Sequence, residues 1–220
     1  MLPLLAGPVV PVDVPASKSV EPTAPVHLKL HLRKGTLDVL DGHVTTLTGT
    51  LRPSGTPTAA MAGTQHPRLA GRRVELQRHA RHGWRTIAHS STGARGRFRL
   101  SYTPHRLLSE RLRVLFAGDS TSPRVVRRVG TLRVYRLAGA SWYGGGGGLA
   151  CGGELTSSTM GVANKTLPCG TLVTLRYGGH TVRVPVVDRG PYVAGREFDL
   201  TEATKRALGF EGVGEVWSTR

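Results

Sequence analysis

The sequence predicts an all-β protein: an N-terminal antiparallel β-sandwich followed by a second, smaller β-rich unit with one short helix. The 220 residues include 29 glycines and few aromatics, a composition typical of turn-rich β proteins. Short segments of alternating apolar and polar residues recur between clusters of turn residues. The charge is also divided unevenly, which separates a basic first part of the chain from a nearly neutral second part.

The basic residues lie almost entirely in the first part. Residues 1–137 carry 22 Lys and Arg against 7 Asp and Glu, whereas residues 138–220 carry 8 against 7. The net charge of +16 therefore indicates a polyanionic partner or surface for the N-terminal part. No recognition helix, zinc finger or RNA-binding motif accompanies this charge, so we expect anionic cell-wall polymers rather than nucleic acid. The alternative is an arginine-rich sheet face that is only solvated.

The chain is expected to divide into three segments. Residues 1–25 are rich in Pro, Val and Ala, which indicates a leader joined to an extended linker. The start resembles a secretory signal segment that lacks its basic residues, and no stretch of the sequence is long enough to span a membrane. Residues 26–137 form the basic sandwich and residues 138–220 the second unit, with the boundary at 137–139.

Six strands are predicted in the basic part, with Gly55–Pro67 as a flexible insertion. In Arg97–Tyr102 the apolar residues occupy every second position, so one face packs and the other carries charge. Several such strands in one segment indicate an antiparallel sandwich. The run from Gly71 to Phe98 resembles bacterial immunoglobulin-like or prealbumin-like repeats. The predicted strands are Val44–Leu51, Arg73–Arg78, Trp84–Ala88, Arg97–Tyr102, Leu112–Phe116 and Leu132–Tyr135.

The second unit is predicted to contain a hairpin, a helix and a closing strand. Thr171–Tyr177 and Thr181–Val187 are joined by Gly178-Gly179-His180, which favours a hairpin turn. The helix is expected over Thr201–Leu208, because apolar residues recur at helical spacing and a glycine follows. Val213–Trp217 is expected to close the unit.

Cys151 and Cys169 are the two cysteines of the chain. They fit no zinc-binding pattern, and we predict neither a metal site nor a cofactor. A bond between them would close a loop of about 18 residues and stabilise the fold by about 3 kcal/mol in the chain-entropy model. Such a pair in a small β unit indicates an oxidising, exported setting. Two buried free thiols are the alternative.

Four short motifs carry the chemistry. They are Ala-Ser-Trp-Tyr from Ala140, Ala-Asn-Lys-Thr-Leu-Pro-Cys-Gly from Ala163, Asp-Arg-Gly-Pro-Tyr from Asp188 and Phe-Asp-Leu-Thr from Phe198. In this order they resemble the double-psi β-barrel of rare lipoprotein A (RlpA), over about 80 residues. The resemblance implies a six-stranded barrel with an open glycan groove and a peptidoglycan setting. Related barrels occur in expansins, barwin-like proteins, family 45 endoglucanases and MltA-type lytic transglycosylases.

Asp199 is the catalytic acid that the resemblance implies, because it matches the aspartate of the Phe-Asp-Leu-Ser/Thr motif. A lytic transglycosylase needs only one such group, whereas ordinary glycosidases need two carboxylates. To act as an acid near neutral pH, Asp199 would need a pKa well above about 3.9, through burial or a like charge. Asp188 is the candidate for that like charge and is expected to support catalysis, by orienting the groove or by stabilising positive charge at the sugar. The structural alternatives are that Asp199 starts the helix and that Asp188 only forms a tight turn.

Flat aromatic rings and polar side chains around the two aspartates are expected to contact the glycan. In a strand, only one of the adjacent Trp142 and Tyr143 can face the groove. Arg189 is expected to pair with Asp199 or with a carboxylate of the substrate, or to be an ordinary surface arginine. The residues predicted to bind substrate are Tyr143, Asn164, Arg189, Tyr192 and Phe198.

Asn164 departs from the family pattern, because RlpA-like sequences usually carry a histidine there. Asparagine can hydrogen-bond a sugar but cannot transfer a proton. The sequence therefore leaves two main functions open: a secreted or wall-associated lytic transglycosylase acting on peptidoglycan, and an expansin-like module that binds the glycan without cleaving it. A purely structural surface protein is the third alternative. Cellulase activity is not expected, because Ser141–Ala150 contains no second aspartate.

Overall fold

The structure is a computed structural model that describes residues 25–33, 37–54 and 68–220. The predicted leader, except its last residue, and the predicted insertion at 55–67 lie outside the described residues. Within them the chain is built from strands and one helix, which confirms the predicted all-β class. No helix in these ranges is long and apolar enough to cross a membrane.

The N-terminal part is a sandwich of two sheets. Its strands are β1 (Leu28–Leu32), β2 (Asp38–Leu40), β3 (Thr45–Pro53), β4 (Arg73–Ala80), β5 (Gly83–Ser91), β6 (Arg97–Tyr102), β7 (Leu108–Phe116) and β8 (Val125–Tyr143). The three-stranded sheet has the order β1-β3-β6 and is antiparallel. The five-stranded sheet has the order β2-β8-β7-β4-β5, in which β2 runs parallel to β8 and the other neighbours are antiparallel.

The sandwich core forms because the strands alternate in polarity. In β6, Phe98 and Leu100 are buried while Arg97 and Arg99 are exposed. Buried residues of both sheets belong to one hydrophobic cluster, so the two sheets pack face to face. This confirms the predicted sandwich, and the closer resemblance to immunoglobulin-like repeats stays a prediction.

The C-terminal part closes into a six-stranded barrel. It adds β9 (Gly147–Gly148), β10 (Glu154–Leu155), β11 (Val162–Ala163), β12 (Leu172–Tyr177), β13 (His180–Asp188), β14 (Phe198–Thr201), α1 (Glu202–Leu208) and β15 (Gly214–Ser218). The ring runs β8-β14-β11-β13-β12-β15 and returns to β8, with β8–β14 and β11–β13 parallel. A second hydrophobic cluster, which includes Leu175, Phe198 and Leu200, fills it.

Two local predictions in the barrel are confirmed. Tyr177 pairs with His180 across a two-glycine turn, and both glycines have positive φ, as a type I′ hairpin turn requires. The helix begins one residue later than predicted because Thr201 is its N-cap, and it ends at Gly209 in the left-handed conformation. The segment just before the helix, Phe198–Thr201, is a strand that the sequence did not reveal.

Strand β8 crosses the predicted boundary without a break. Its first part pairs with β7 in the sandwich, and its residues from Arg136 onward pair with β15 and β14 in the barrel. Gly139 does not interrupt the strand. A Cβ atom at this position would overlap the carbonyl oxygen of Gly195, so the glycine permits a close approach of two backbones.

A cluster of polar and aromatic side chains joins the two halves beside β8. Asp38 of the sandwich accepts a hydrogen bond from Arg176 of the barrel at 3.3 Å. The ring of Tyr135 is fully buried and lies 5.8 Å from that of Trp217. Burial, with the nearby charge of Asp38, raises the pKa of Tyr135 to about 12, so the phenol remains neutral in this joint.

Candidate functional site

The barrel topology brings the two predicted aspartates onto neighbouring strands. Asp199 in β14 pairs with Ser141 of β8 on one side and with Ala163 of β11 on the other. Ala163 in turn lies opposite Asp188, at the end of β13. Because adjacent strands are about 4.8 Å apart, the backbones of the two aspartates lie about 10 Å apart with one small residue between them.

Asp199 points away from the barrel core. Its neighbours Phe198 and Leu200 are fully buried in the core, so strand alternation places the carboxylate on the opposite side, where it is partly buried. The hydroxyl of Ser141 donates to Oδ1 of Asp199 at 2.8 Å. The guanidinium of Arg196 donates to the same hydroxyl at 3.4 Å. The three side chains therefore form one chain of hydrogen bonds.

Burial raises the pKa of Asp199 above its ordinary value. The hydrogen bond from Ser141 and the charge of Arg196 lower the pKa, and the charge of Asp188 raises it again. The sequence analysis named burial or a like charge as what could raise this pKa, and burial has the larger effect. A carboxyl group that keeps its proton to higher pH is suited to general-acid chemistry.

Asp199 does not start the helix, which was the structural alternative for this residue. The cap is Thr201, whose hydroxyl accepts the backbone N–H of Thr204. The same hydroxyl donates to the carbonyl oxygen of Gly161 at 3.1 Å, so the cap is part of a buried network. The Asp199 carboxylate is thus left without a capping role.

Asp188 is hydrogen-bonded to the loop that carries Ala150. Its Oδ1 accepts the backbone N–H of Arg189 at 2.8 Å, and this local hydrogen bond fits the predicted tight turn. The same oxygen also accepts the N–H of Ala150 at 2.9 Å. Since Ala150 is 38 residues away, Asp188 does more than shape its own turn.

Cys151 and Cys169 form a disulfide, which confirms the predicted pairing; their Cα atoms are 5.6 Å apart. The N–H of Cys151 donates to the carbonyl oxygen of Val187 at 3.2 Å, so the loop that carries Ala150 is tied to β13 twice. The bond joins this loop to the turn that begins at Asn164. The disulfide therefore ties together two segments that are both hydrogen-bonded to Asp188.

The Tyr143 side chain lies between the two carboxylates. Burial raises its pKa strongly, and the charge of Asp188, a hydrogen-bonding contact with Asp188 and the charge of Asp199 raise it further, so the phenol keeps its proton. Its hydroxyl oxygen is buried and makes no hydrogen bond of normal geometry with the described residues. Because buried hydroxyls normally have partners, Tyr143 is a candidate donor to a bound sugar.

The Asn164 side chain is committed to the turn that it begins. It is 4% exposed, its Nδ2 donates to the carbonyl oxygen of Glu197 at 3.0 Å, and its Oδ1 accepts the N–H groups of Thr166 and Leu167. The nitrogen and the oxygen of the amide therefore both have hydrogen-bond partners within the protein. The structure therefore gives Asn164 an architectural position, and the predicted contact with substrate stays a prediction.

Arg189 does not pair with Asp199, so that part of the sequence prediction is wrong. Its Nη1 donates to the carbonyl oxygens of Asn164 and Leu167 at 3.1 and 2.9 Å, and its Nη2 lies 3.1 Å from the sulfur of Cys169. All of these contacts are with the turn at residues 164–169, so they hold the guanidinium at this turn and not at Asp199. The arginine beside Asp199 is Arg196.

The predicted aromatic residues separate into three environments. Phe198 is fully buried in the barrel core, so the prediction that it stacks on a sugar is wrong; strand alternation turns it inward. Tyr192 is 80% exposed and remains available to a ligand. Of the adjacent pair, Tyr143 lies near the aspartates, whereas the ring of Trp142 lies 4.2 Å from Nζ of Lys205 on the helix side.

Comparison with known proteins agrees with this topology. The double-psi β-barrel family described as "Lytic transglycolase" matches residues 137–217, the segment that forms the six-stranded ring. Residues 137–217 are an RlpA-like double-psi β-barrel domain. The resemblance seen in the four sequence motifs is thereby confirmed for this part of the chain.

Several curated relatives of the RlpA-like domain carry the same name. A protein of Aquifex aeolicus, "Probable endolytic peptidoglycan transglycosylase RlpA", is 44% identical over 75 residues, which are 32% of this chain and 33% of the relative. A protein of the same name from Synechocystis sp. is 42% identical over 84 residues, covering 35% of this chain and 26% of the relative. "Endolytic peptidoglycan transglycosylase RlpA" of Pseudomonas aeruginosa is 39% identical over 88 residues, covering 37% and 26%.

The chain therefore spans about a third or less of each of these relatives. Among solved structures, the Streptomyces papain inhibitor (SPI) is 28% identical, with a TM-score of 0.32; the match covers 38% of this chain and 91% of that one.

Two residues of the RlpA-like site were missed by sequence reasoning. Ser141 lies two positions before Tyr143, so strand alternation alone could have placed both side chains on one face. Arg196 lies in the irregular segment before β14 and belongs to no pattern. Its position beside Ser141 follows only from the closure of the barrel.

Proposed function

We propose that this protein is a cell-wall protein whose RlpA-like barrel cleaves the glycan strands of peptidoglycan as a lytic transglycosylase, a carbon–oxygen lyase. The observation that carries the proposal is the partly buried Asp199, with its raised pKa, on the side of β14 that faces away from the barrel core, with Asp188 two strands away across Ala163. The curated relatives of the barrel are named for this activity. The predicted export and wall association belong to the same proposal.

One carboxyl group is sufficient for this reaction. The protonated Asp199 gives its proton to the glycosidic oxygen, and the bond between that oxygen and the anomeric carbon breaks. The 6-hydroxyl of the same sugar then bonds to the anomeric carbon and returns a proton to Asp199. The product is a 1,6-anhydro sugar, no water is consumed, and the enzyme ends in its starting state.

The other groups of the site support this step. We assign Asp188 to the stabilisation of positive charge at the sugar, since two backbone N–H groups hold its carboxylate in place. The neutral phenol of Tyr143 is a candidate donor to a sugar hydroxyl. Tyr192, which is exposed, offers a ring face to the glycan.

Digestion of purified peptidoglycan tests the proposal. We expect the full chain to release 1,6-anhydro muropeptides, detected by mass spectrometry, and Asp199→Asn to release almost none. Glu215→Gln is the control, because it likewise removes one carboxylate from a barrel strand, but at an exposed position. The proposal is wrong if the wild-type protein gives no anhydro product, or if Asp199→Asn gives as much as Glu215→Gln.

Binding without cleavage is the second candidate function, and Asn164 favours it. This residue stands where RlpA-like sequences usually carry a histidine, it cannot transfer a proton, and its amide is occupied by internal hydrogen bonds. Retention of the protein on peptidoglycan sacculi without any anhydro product would favour this function over the first.

A further inference from the structure

The outer face of the three-stranded sheet is uniformly cationic. Because burial alternates along β1, β3 and β6, the exposed positions of all three strands lie on one side. We call the set Lys29, His31, Arg52, Arg97 and Arg99 the cationic face. Between these residues lie hydroxyl side chains, namely Thr46, Thr48, Thr50 and Ser101.

None of the four permanent charges of this face has an acidic partner within the described residues. The other sheet differs. There Arg73 pairs with Glu75 at 3.0 Å, Arg78 pairs with Glu110 at 2.6 Å, and Arg113 lies 4.1 Å from the ring of Trp84. The five-stranded sheet therefore compensates several of its arginines internally, whereas the three-stranded sheet compensates none of the four cations on its outer face within the described residues.

The cationic face carries a local electrostatic cost. Lys29 and Arg52 lie directly opposite each other on adjacent strands, and like charges in such pairs destabilise a sheet. No interaction within the described fold offsets this repulsion. A bound polyanion would offset it, because anionic groups between the two side chains attract both.

The geometry of the face selects a class of polyanion. Exposed residues two positions apart on a strand are about 7 Å apart, so the charges are regularly spaced, as repeating phosphates are. Arginine guanidinium groups and lysine ammonium groups bind phosphate oxygens, and threonine hydroxyls can donate hydrogen bonds to them. The face has no aromatic ring on which a base could stack, which favours a polyol–phosphate polymer over single-stranded nucleic acid.

We propose that the cationic face binds a linear polyol–phosphate polymer of the cell wall and so anchors the barrel beside its glycan. The choice of a wall polymer rests on the proposed peptidoglycan function, whereas the binding itself does not.

The test measures binding of the full chain to fluorescently labelled poly(glycerol phosphate), without any cleavage step. The variant Lys29→Gln, Arg52→Gln, Arg97→Gln, Arg99→Gln removes the four charges from the face. We expect its Kd to be at least about tenfold higher. The slope of log affinity against log salt should fall by about three units, as expected when four cations no longer contact phosphates.

A second variant with the same net charge serves as the matched control. Arg81, Arg85, Arg111 and Arg124 are exposed, lie outside the three-stranded sheet and have no acidic partner within the described residues. Changing these four residues to Gln should raise Kd less than about threefold, since only the long-range field changes. Thermal melting of both variants shows whether each is folded.

Three results would overturn the proposal. An equal loss of affinity in the two variants would mean that binding depends on net charge and not on this face. Tighter binding of a single-stranded DNA oligonucleotide with the same number of phosphates would assign the face to nucleic acid. Absence of binding to poly(glycerol phosphate) at low salt would remove the site altogether. Loss of anhydro product with retained polymer binding would instead contradict only the proposed lytic function.

Discussion

The Asp199 site and the cationic face both contain several charged groups, but they hold them in opposite ways. At the Asp199 site, the carboxylate is partly buried and its hydroxyl partner Ser141 also accepts a hydrogen bond from Arg196. On the face, four cations are exposed and lack acidic partners within the described residues. Burial changes the pKa of one group, whereas exposed charges act together through a field that salt screens. The first arrangement suits proton transfer and the second suits the capture of a polymer.

The largest expected effect is that of one substitution, which should change the function of one region and leave that of the other unchanged. Asp199→Asn should lower the rate of anhydro-product release by about 10²- to 10⁴-fold, since it removes the general acid. The same variant should bind poly(glycerol phosphate) with unchanged affinity, because the cationic face lies on the other half of the molecule. Rate and affinity are measured on one preparation. A parallel loss of both would mean that the two regions are not independent.

Loss of the disulfide should weaken the barrel more than the sandwich. The double variant Cys151→Ser, Cys169→Ser should lower the free energy of unfolding by about 3 kcal/mol, because the unfolded chain gains the freedom of the opened loop. Chemical denaturation measures the change. Hydrogen exchange should localise the loosening to the loop that donates the Ala150 N–H to Asp188, and the same loosening in β1 and β3 would contradict this assignment.

Removal of the Ser141 hydroxyl should shift the pH dependence of cleavage. The hydrogen bond from Ser141 lowers the pKa of Asp199, so Ser141→Ala should raise that pKa further. The acid is active when protonated, and the fall in activity at high pH should therefore move to higher pH. Rates from pH 4 to 9 measure the shift. A movement to lower pH would show that Asp199 is not the group that titrates.

The smallest expected effect concerns the like-charge pair of the cationic face. Lys29→Gln removes its repulsion with Arg52 and should stabilise the sandwich by a few tenths of a kcal/mol, about the size of a cross-strand pair. The same change should weaken polymer binding. Gain of stability with loss of affinity distinguishes a binding residue from a structural one, and a loss of stability would indicate that Lys29 supports the fold.

The sequence predicts well those features that depend on neighbouring residues. The two-glycine hairpin, the helix with its glycine end and the alternating strand Arg97–Tyr102 all appear as expected, because turn chemistry and periodicity determine them locally. Strand β14 was missed because four residues between a turn and a helix give too short a pattern. The short strand β2 was missed for the same reason.

The sequence identified most residues of the candidate site, but not which strands lie next to each other or which side chains are hydrogen-bonded there. The motifs identified Asp188, Asp199 and the disulfide, whereas their arrangement around Ala163 depends on the order in which distant strands close the ring. The error on Phe198 follows from the missed strand, since alternation through β14 would have placed it in the core. The position of Arg196 depends on barrel closure and has no local signal.

Strand β8 gives the molecule a fixed internal distance. Its 19 residues extend over about 60 Å and are hydrogen-bonded to the sandwich at one end and to the barrel at the other. Because β8 is paired in both halves, it does not act as a flexible linker between them. The same strand that borders the sandwich carries Ser141 and Tyr143. The proposed cationic binding face and the proposed catalytic residues would therefore lie at the two ends of one continuous strand arrangement, and not on domains joined by a free linker.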